Sequence, residues 1–274
     1  MIIKTLMLPD PPIVSVGDKL VEAFKKVNTR GIGRVIVTNE SIEGIISTRD
    51  LLTFVTERCE EGCDRGDIFA LIEKQVAQVM TPRPVHAYED DDVMDALTLM
   101  VARNFGALPV LNREKKVSGI VTERELLLIF QDLDELFPVK KFMTKKVSTI
   151  YEDVPVFEAV KLMIRRGFRR LPIVDDQNKV KGIITAADAL KLFTKAVVKS
   201  DPDMFFSKKV SQVATKDVLT IDPEKSINEA ASTMIMKKVG SLLILKEDGT
   251  VGGIITERDL IIALHYQLHI RVES

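Results

Sequence analysis

Apolar and polar positions along this chain fall into a pattern that recurs. Runs of four or five Val, Ile and Leu residues, introduced by Gly, Pro or basic residues, alternate with longer stretches of helical apolar spacing. In one such stretch Val93 is followed by Leu97, Met100 and Val101, four, seven and eight residues on, which is the stripe of an amphipathic helix. The short β-branched runs have the length and composition of buried strands.

The recurrence is specific enough to align. The heptapeptide GIISTRD (44–50) returns as GIVTERE (119–125), GIITAAD (182–188) and GIITERD (253–259), at intervals of 75, 63 and 71 residues. Upstream of each lies a helical stretch centred on an alanine: Ala23, Ala96, Ala159 and Ala230. From alanine to heptad glycine is 23 residues in the last three copies and 21 in the first. Between them sit the runs GIGRVIV, NFGALPVL, GFRRLPIV and VGSLLIL, and a further strand opens each unit, clearest in VSTIYEDVPVFEAV (147–160). DDQNK (175–179) and KEDGT (246–250) supply turn chemistry between the last two strands. Each unit therefore reads β-α-β-β-α, and the fold class is α/β (α+β) built from four copies.

A unit of about 60 residues holds little core of its own, so repeats are expected to pair. The division expected from spacing is 1–135 (repeats 1 and 2, with an inserted helical connection over 53–79) and 136–274 (repeats 3 and 4), with the boundary near Glu135.

These heptads, in register with strands such as LPIV, resemble the CBS domain, and the resemblance covers nearly the whole chain. Two such repeats form a Bateman module, so the resemblance implies two modules, similar in architecture to the nucleotide-sensing subunit of AMP-activated protein kinase. It implies an adenosine-containing ligand (AMP, ADP or ATP) held in clefts between paired repeats, with the motif's hydroxyl and carboxylate on ribose and phosphate.

Elementary chemistry allows two uses of the same residues. Ser47 with Asp50, Thr122 with Glu125, Thr185 with Asp188 and Thr256 with Asp259 each have the spacing of a helix capping box. A helix N-terminus also attracts phosphate, and a nearby carboxylate can accept both hydroxyls of a ribose. Arg49, Arg124 and Arg258 inside the heptads are candidates for charge-assisted bonds to phosphate. Glu125 replaces aspartate in repeat 2, which suits a cap better than a diol clamp. Repeat 3 has Ala187 in place of the arginine but brings Arg165, Arg166, Arg169 and Arg170 ahead of its strand. By the resemblance, Arg169 and Arg170 face the ligand, Arg34 holds the Arg170 column in repeat 1 and Ser241 in repeat 4. Thr149 and Thr220 share a column ten residues before the repeat alanine, where the family contacts the base; His86 and Ile13 stand there in repeats 2 and 1.

Composition narrows the classes. The chain has 274 residues, 46% hydrophobic, and a net charge of -1, but residues 1–137 carry 16 basic and 23 acidic side chains against 23 and 17 in residues 138–274. The halves are oppositely charged, yet no nucleic-acid-binding motif accompanies the basic one. No apolar run has the length of a membrane span and no leader is evident, so the expected location is cytoplasmic. Cys59 and Cys63 lack partners for a zinc site and are expected to be free surface thiols. His265 and His269 are one helical turn apart without a third ligand, and read as a surface pair. Met80 and Met143, ahead of opening strands, read as packing at joints between repeats. No P-loop, dinucleotide fingerprint or nucleophile with a base is present, so neither catalysis nor a catalytic cofactor or metal is expected. The expectation is a regulatory energy-sensing protein, homodimeric and acting on an unidentified protein effector. The alternative is a ligand-free scaffold whose motifs are only helix caps.

Overall fold

The computed structural model describes residues 1–60, 62–134 and 137–273. Each repeat has a lead helix bearing the alanine: Leu20–Lys26, Val93–Ala102, Val156–Arg166 and Ile227–Lys237. An antiparallel hairpin follows, pairing Arg34–Asn39 with Ser41–Ser47, Ala107–Leu111 with Val117–Thr122, Arg170–Val174 with Val180–Thr185, and Ser241–Leu245 with Val251–Thr256. The closing helices Thr48–Arg58, Glu123–Leu126, Ala186–Lys199 and Glu257–Glu273 begin where the hairpins end. In repeat 2 this helix lasts one turn and continues as the 3-10 segment Leu127–Asp132.

The opening strands are the shortest elements. Ile13–Ser15, Ala87–Tyr88 and Ile150–Tyr151 run parallel to their hairpins, and in repeat 4 a single bridge joins Thr220 to Leu243. Acidic turns cut them off: Asp18 accepts from the Ser15 amide and Asp91 from that of Tyr88, both at 2.8 Å. Between repeats 1 and 2 lies the helix Arg65–Ile72, capped by Asp64.

A further repeated element was not evident in the pattern. A 3-10 turn precedes each repeat, at Ile3–Thr5, Val76–Gln78, Val139–Lys141 and Val210–Gln212, and each buries its first residue. The chain after it serves another repeat's sheet. Leu8–Pro9, ahead of repeat 1, pairs with the repeat 2 hairpin, and Thr81–Pro82, ahead of repeat 2, pairs with that of repeat 1. Thr144 likewise bridges to Ile254 in repeat 4, and Thr215 to Ile183 in repeat 3. Consecutive repeats thus exchange an edge segment. That exchange explains the heptad glycines. A Cβ on Gly44 would lie 2.6 Å from Met80 Sδ, and one on Gly119 2.5 Å from Met7 Sδ. At Gly253 the neighbour is Met143 Sδ at 3.0 Å, and at Gly182 the Thr215 carbonyl at 2.9 Å. Met80 and Met143 therefore pack where the exchanged segments meet the hairpins.

By packing, the chain divides into two compact units. Unit 1 comprises Met1–Asp10, Val85–Val147 and Val218–Ser274; unit 2 comprises Pro11–Pro84 and Ser148–Asp217. Unit 1 thus holds repeats 2 and 4, and unit 2 holds repeats 1 and 3. The division expected from spacing groups consecutive repeats instead, and its boundary near Glu135 lies outside the described residues. The two divisions differ because spacing orders the repeats without fixing which apolar helix faces meet.

In unit 2 the closing helix of repeat 1 packs on both helices of repeat 3, over a core containing Ala23, Ala159, Phe24, Phe157, Phe193 and Phe205. The ring centroids of Phe24 and Phe193 are 5.0 Å apart and those of Phe193 and Phe205 5.1 Å, within favourable aromatic range. In unit 1 the repeat 4 closing helix packs on the lead helices of repeats 2 and 4, over a core with Ala96, Ala230, Leu97, Phe130, Leu260 and Leu264. Alanine at these positions lets helix backbones approach closely, since no longer side chain intervenes.

The cysteines depart from expectation. Cys59 and Cys63 form a disulfide, with Cα atoms 5.0 Å apart, and Cys59 is fully buried rather than on the surface. Cys59 ends the repeat 1 closing helix, and that helix termination returns the chain within bridging distance of Cys63.

Candidate functional site

The junction of second hairpin strand and closing helix is built identically in four places. Ser47, Thr122, Thr185 and Thr256 all have extended backbone conformation or lie at the last strand position, followed at once by helix. The carboxylate three residues on accepts from the backbone amide of the hydroxyl residue: Asp50 at 2.7 Å, Glu125 at 2.9 Å, Asp188 at 3.0 Å and Asp259 at 2.8 Å. In return Asp50, Asp188 and Asp259 donate their amides to the hydroxyl oxygen, and in repeat 2 the Arg124 amide does so. The reciprocal bonds of the capping box are thus present in all four repeats, with the Arg124 amide taking the place of the third-residue amide in repeat 2.

In three repeats the hydroxyl also donates to the carboxylate oxygen, at 2.5 Å in Thr122, 2.6 Å in Thr185 and 2.7 Å in Thr256. In each repeat these bonds converge on one carboxylate oxygen, Oδ2 of Asp188 and Asp259 and Oε2 of Glu125. Among the described residues, no hydrogen bond falls on Oδ1 of Asp50 or Asp188. Both aspartates are half-buried, whereas Glu125 is buried. Burial pushes the Glu125 carboxyl above the ordinary range, against the lowering effect of its bonds from Thr122. The repeat 2 carboxylate is thus enclosed as a cap.

The residues assigned to the strand entrance fall into place around this junction. Arg34 is the cross-strand partner of Ser47, Arg170 of Thr185 and Ser241 of Thr256, so each sits directly opposite the heptad hydroxyl. The first helical amide after each hydroxyl bonds back across the hairpin; in repeat 3 the Ala186 amide meets the Arg169 carbonyl at 2.8 Å. Arg169 and Arg170 are both half-buried, and Arg165 and Arg166 exposed. Thr149 lies one strand over, just before Ile150, which pairs with Ile173. Thr149 is half-buried and Thr220, in the same column of repeat 4, exposed. Unit 2 therefore gathers Ser47, Asp50, Arg34, Thr149, Arg169, Arg170, Thr185 and Asp188, and unit 1 holds Thr122, Thr220, Thr256 and Asp259.

The heptad arginines make contacts within the protein. Arg124 Nε meets Glu257 Oε1 at 2.8 Å and Arg258 Nε meets Glu123 Oε1 at 2.7 Å. Arg258 also donates to the carbonyls of Met100 and Phe105, at 3.0 and 2.7 Å. Arg49 reaches the Ile164 carbonyl at 3.3 Å. Sequence reasoning passed over Glu123 and Glu257; the signal was the dipeptide Glu-Arg, found in the heptads of repeats 2 and 4 only.

His265 and His269 stack with ring centroids 4.0 Å apart, and burial together with the nearby His269 lowers the His265 pKa. Among the described residues no group of three or more His, Cys, Asp or Glu is placed to hold a metal. No helix of the described residues is long and apolar enough to cross a membrane.

Comparison with known proteins agrees with this repeat structure. The family model described as CBS domain matches residues 3–57, 76–132, 139–195 and 210–266, so each match starts at the 3-10 turn. An uncharacterized 33.4 kDa protein of a ribosomal RNA operon in Thermofilum pendens is 27% identical over 261 residues, 92% of this chain and 83% of the relative. The crystal structure of MJ1225 from Methanocaldococcus jannaschii, described as a candidate archaeal homologue of γ-AMPK, superposes with a TM-score of 0.83 at 22% identity. It covers 96% of this chain and 100% of that one. An uncharacterized conserved protein from Pyrococcus horikoshii superposes at 0.61 and 21% identity, over 96% of this chain and all of its own.

Proposed function

The chain belongs to the CBS-domain family, and from that premise we propose that it is a regulatory protein that binds an adenosine-containing metabolite, AMP, ADP or ATP, at its strand-to-helix junctions. The observation that carries the reading is the half-used carboxylate. Asp50 and Asp188 commit Oδ2 to their caps and keep Oδ1 for a second role, beside an arginine placed in register with the capping hydroxyl. A ribose diol needs such an acceptor, and a phosphate needs such a cation next to helix amides. In this reading Asp188, Thr185, Arg169, Arg170 and Thr149 serve repeat 3, and Asp50, Ser47 and Arg34 serve repeat 1. Thr256 and Asp259 repeat the hydroxyl and carboxylate in repeat 4, but with Ser241 in the arginine's place they lack its cation for phosphate. For binding to regulate, the ligand must prefer one of two arrangements of the protein, which an effector protein then reads.

The complete capping boxes favour a second reading, a scaffold in which the motifs only start helices. Substitution of Asp188 separates the two. D188A should weaken binding of the preferred adenosine nucleotide in calorimetry by at least about tenfold, beside a loss of about 1 kcal/mol in stability from the missing cap. Unchanged affinity in D188A and D50A, or no thermal shift with any adenosine compound, leaves the scaffold reading.

A further inference from the structure

The two units are built from the same parts, and their differences are therefore informative. In unit 1 the repeats meet at a pair of ion pairs related by an internal two-fold: Arg124 to Glu257 and Arg258 to Glu123, each through Nε. Residue i of one repeat touches residue j of the other and the reverse, which is the signature of an isologous contact. Glu123 and Glu257 are 3% and 9% exposed, and a carboxylate so enclosed requires a cation against it. Arg258 is held on three sides, by Glu123 and by the carbonyls of Met100 and Phe105 near the end of the repeat 2 lead helix. Cations at a helix C-terminus complement its dipole. The sequence carries the condition for this contact, since Glu-Arg occurs in the heptads of the two repeats that meet, and in neither of the others.

Unit 2 has the same place filled otherwise. The columns of Glu123 and Glu257 hold Thr48 and Ala186, and Ala187 stands where an arginine would answer Arg49. Arg49 keeps the equivalent reach to the opposite lead helix, at the Ile164 carbonyl, and its guanidinium lies beside Gly167, in the run that contains Arg165, Arg166, Arg169 and Arg170. In these two columns unit 1 has two glutamates against two arginines, whereas unit 2 has Arg49 and no acidic residue.

We infer that Glu123 and Glu257 stand in for ligand anions in unit 1: they clamp Arg124 and Arg258 between repeats 2 and 4, withhold them from phosphate, and leave phosphate-bearing ligands to unit 2. Arg124 and Arg258 are positioning residues between repeats. The routing of the anion rests on the proposed nucleotide reading; the clamp itself does not.

The test uses the full chain with AMP as the probe, calorimetry for binding and thermal unfolding for the clamp. R124E should lower the unfolding midpoint by several degrees, and adding E257R should restore most of that loss by re-forming the pair with reversed polarity. The charge-reversed protein should bind AMP within about twofold of the original affinity, whereas R170Q should weaken binding at least about tenfold. Loss of AMP binding in the charge-reversed protein, with its midpoint restored, overturns the routing. A midpoint that E257R does not restore overturns the clamp. If the unaltered protein binds no adenosine compound, the nucleotide reading fails with the routing, and the clamp still stands or falls on the midpoint.

Discussion

At the residue scale, the heptad glycine and the heptad carboxylate are fixed by different forces. Glycine is required because the exchanged segment lies against the hairpin. G119A drives a methyl group into Met7 Sδ and the Leu8 carbonyl, and should cost about 1–3 kcal/mol of stability by denaturant unfolding. G44A meets only the Met80 side chain and should cost less, because methionine can move and a backbone carbonyl cannot. The glycine was legible as a repeated letter, but its reason was not, since Met7 lies 112 positions away in sequence and only the fold joins them. The carboxylates' place in the caps was legible from their spacing, but not that one capping glutamate is also a pH-sensitive group. Glu125 has a folded-state pKa raised by burial, so its contribution favours the fold most at acid pH and is lost as pH rises through that pKa. The unfolding midpoint of the unaltered protein relative to E125Q should therefore fall as pH increases from about 4 to 7. A flat difference between the two melting curves against pH would show that Glu125 titrates normally.

At the element scale, helices and hairpins followed from periodicity and turn residues, whereas the elements held by two or three bonds did not. The 3-10 turns at Ile3, Val76, Val139 and Val210 are three residues long and leave no period to detect, yet each plants a buried anchor in the core of the repeat with which its own repeat exchanges a segment. The exchanged strands have two residues or one, too few to show alternation. The disulfide was missed for a related reason. Two cysteines four apart sit in a charged stretch, and only the end of the preceding helix turns their Cα atoms to 5.0 Å. Because the loop it closes is so short, it removes little entropy from the unfolded chain. C63S should lower stability by no more than about 2 kcal/mol, measured against the oxidised protein in denaturant, with no further loss on adding reductant.

At the scale of the whole molecule, the order of repeats in the chain and their order in space are separate facts. Repeat 1 shares its core with repeat 3, and repeat 2 with repeat 4, because those helix faces match. A fragment of residues 1–135 therefore carries half of each core. It should self-associate in solution, as each exposed helical face is covered by its own copy, and sedimentation should show a dimer; mixing with a fragment of residues 136–274 should yield a two-fragment complex of full-length mass. A stable monomeric 1–135 fragment would contradict the interleaved packing. The same interleaving bears on how the protein is made. Residues 1–10 leave the ribosome before any other part of unit 1, and the core that Ile3 joins, shared with repeats 2 and 4, is completed only when residues 218–273 emerge. Folding cannot advance from one end to the other, and contacts of such long sequence separation form slowly. For as long as synthesis takes, the newborn chain holds two half-finished apolar faces, which makes it a natural client for whatever shields nascent proteins in its cell.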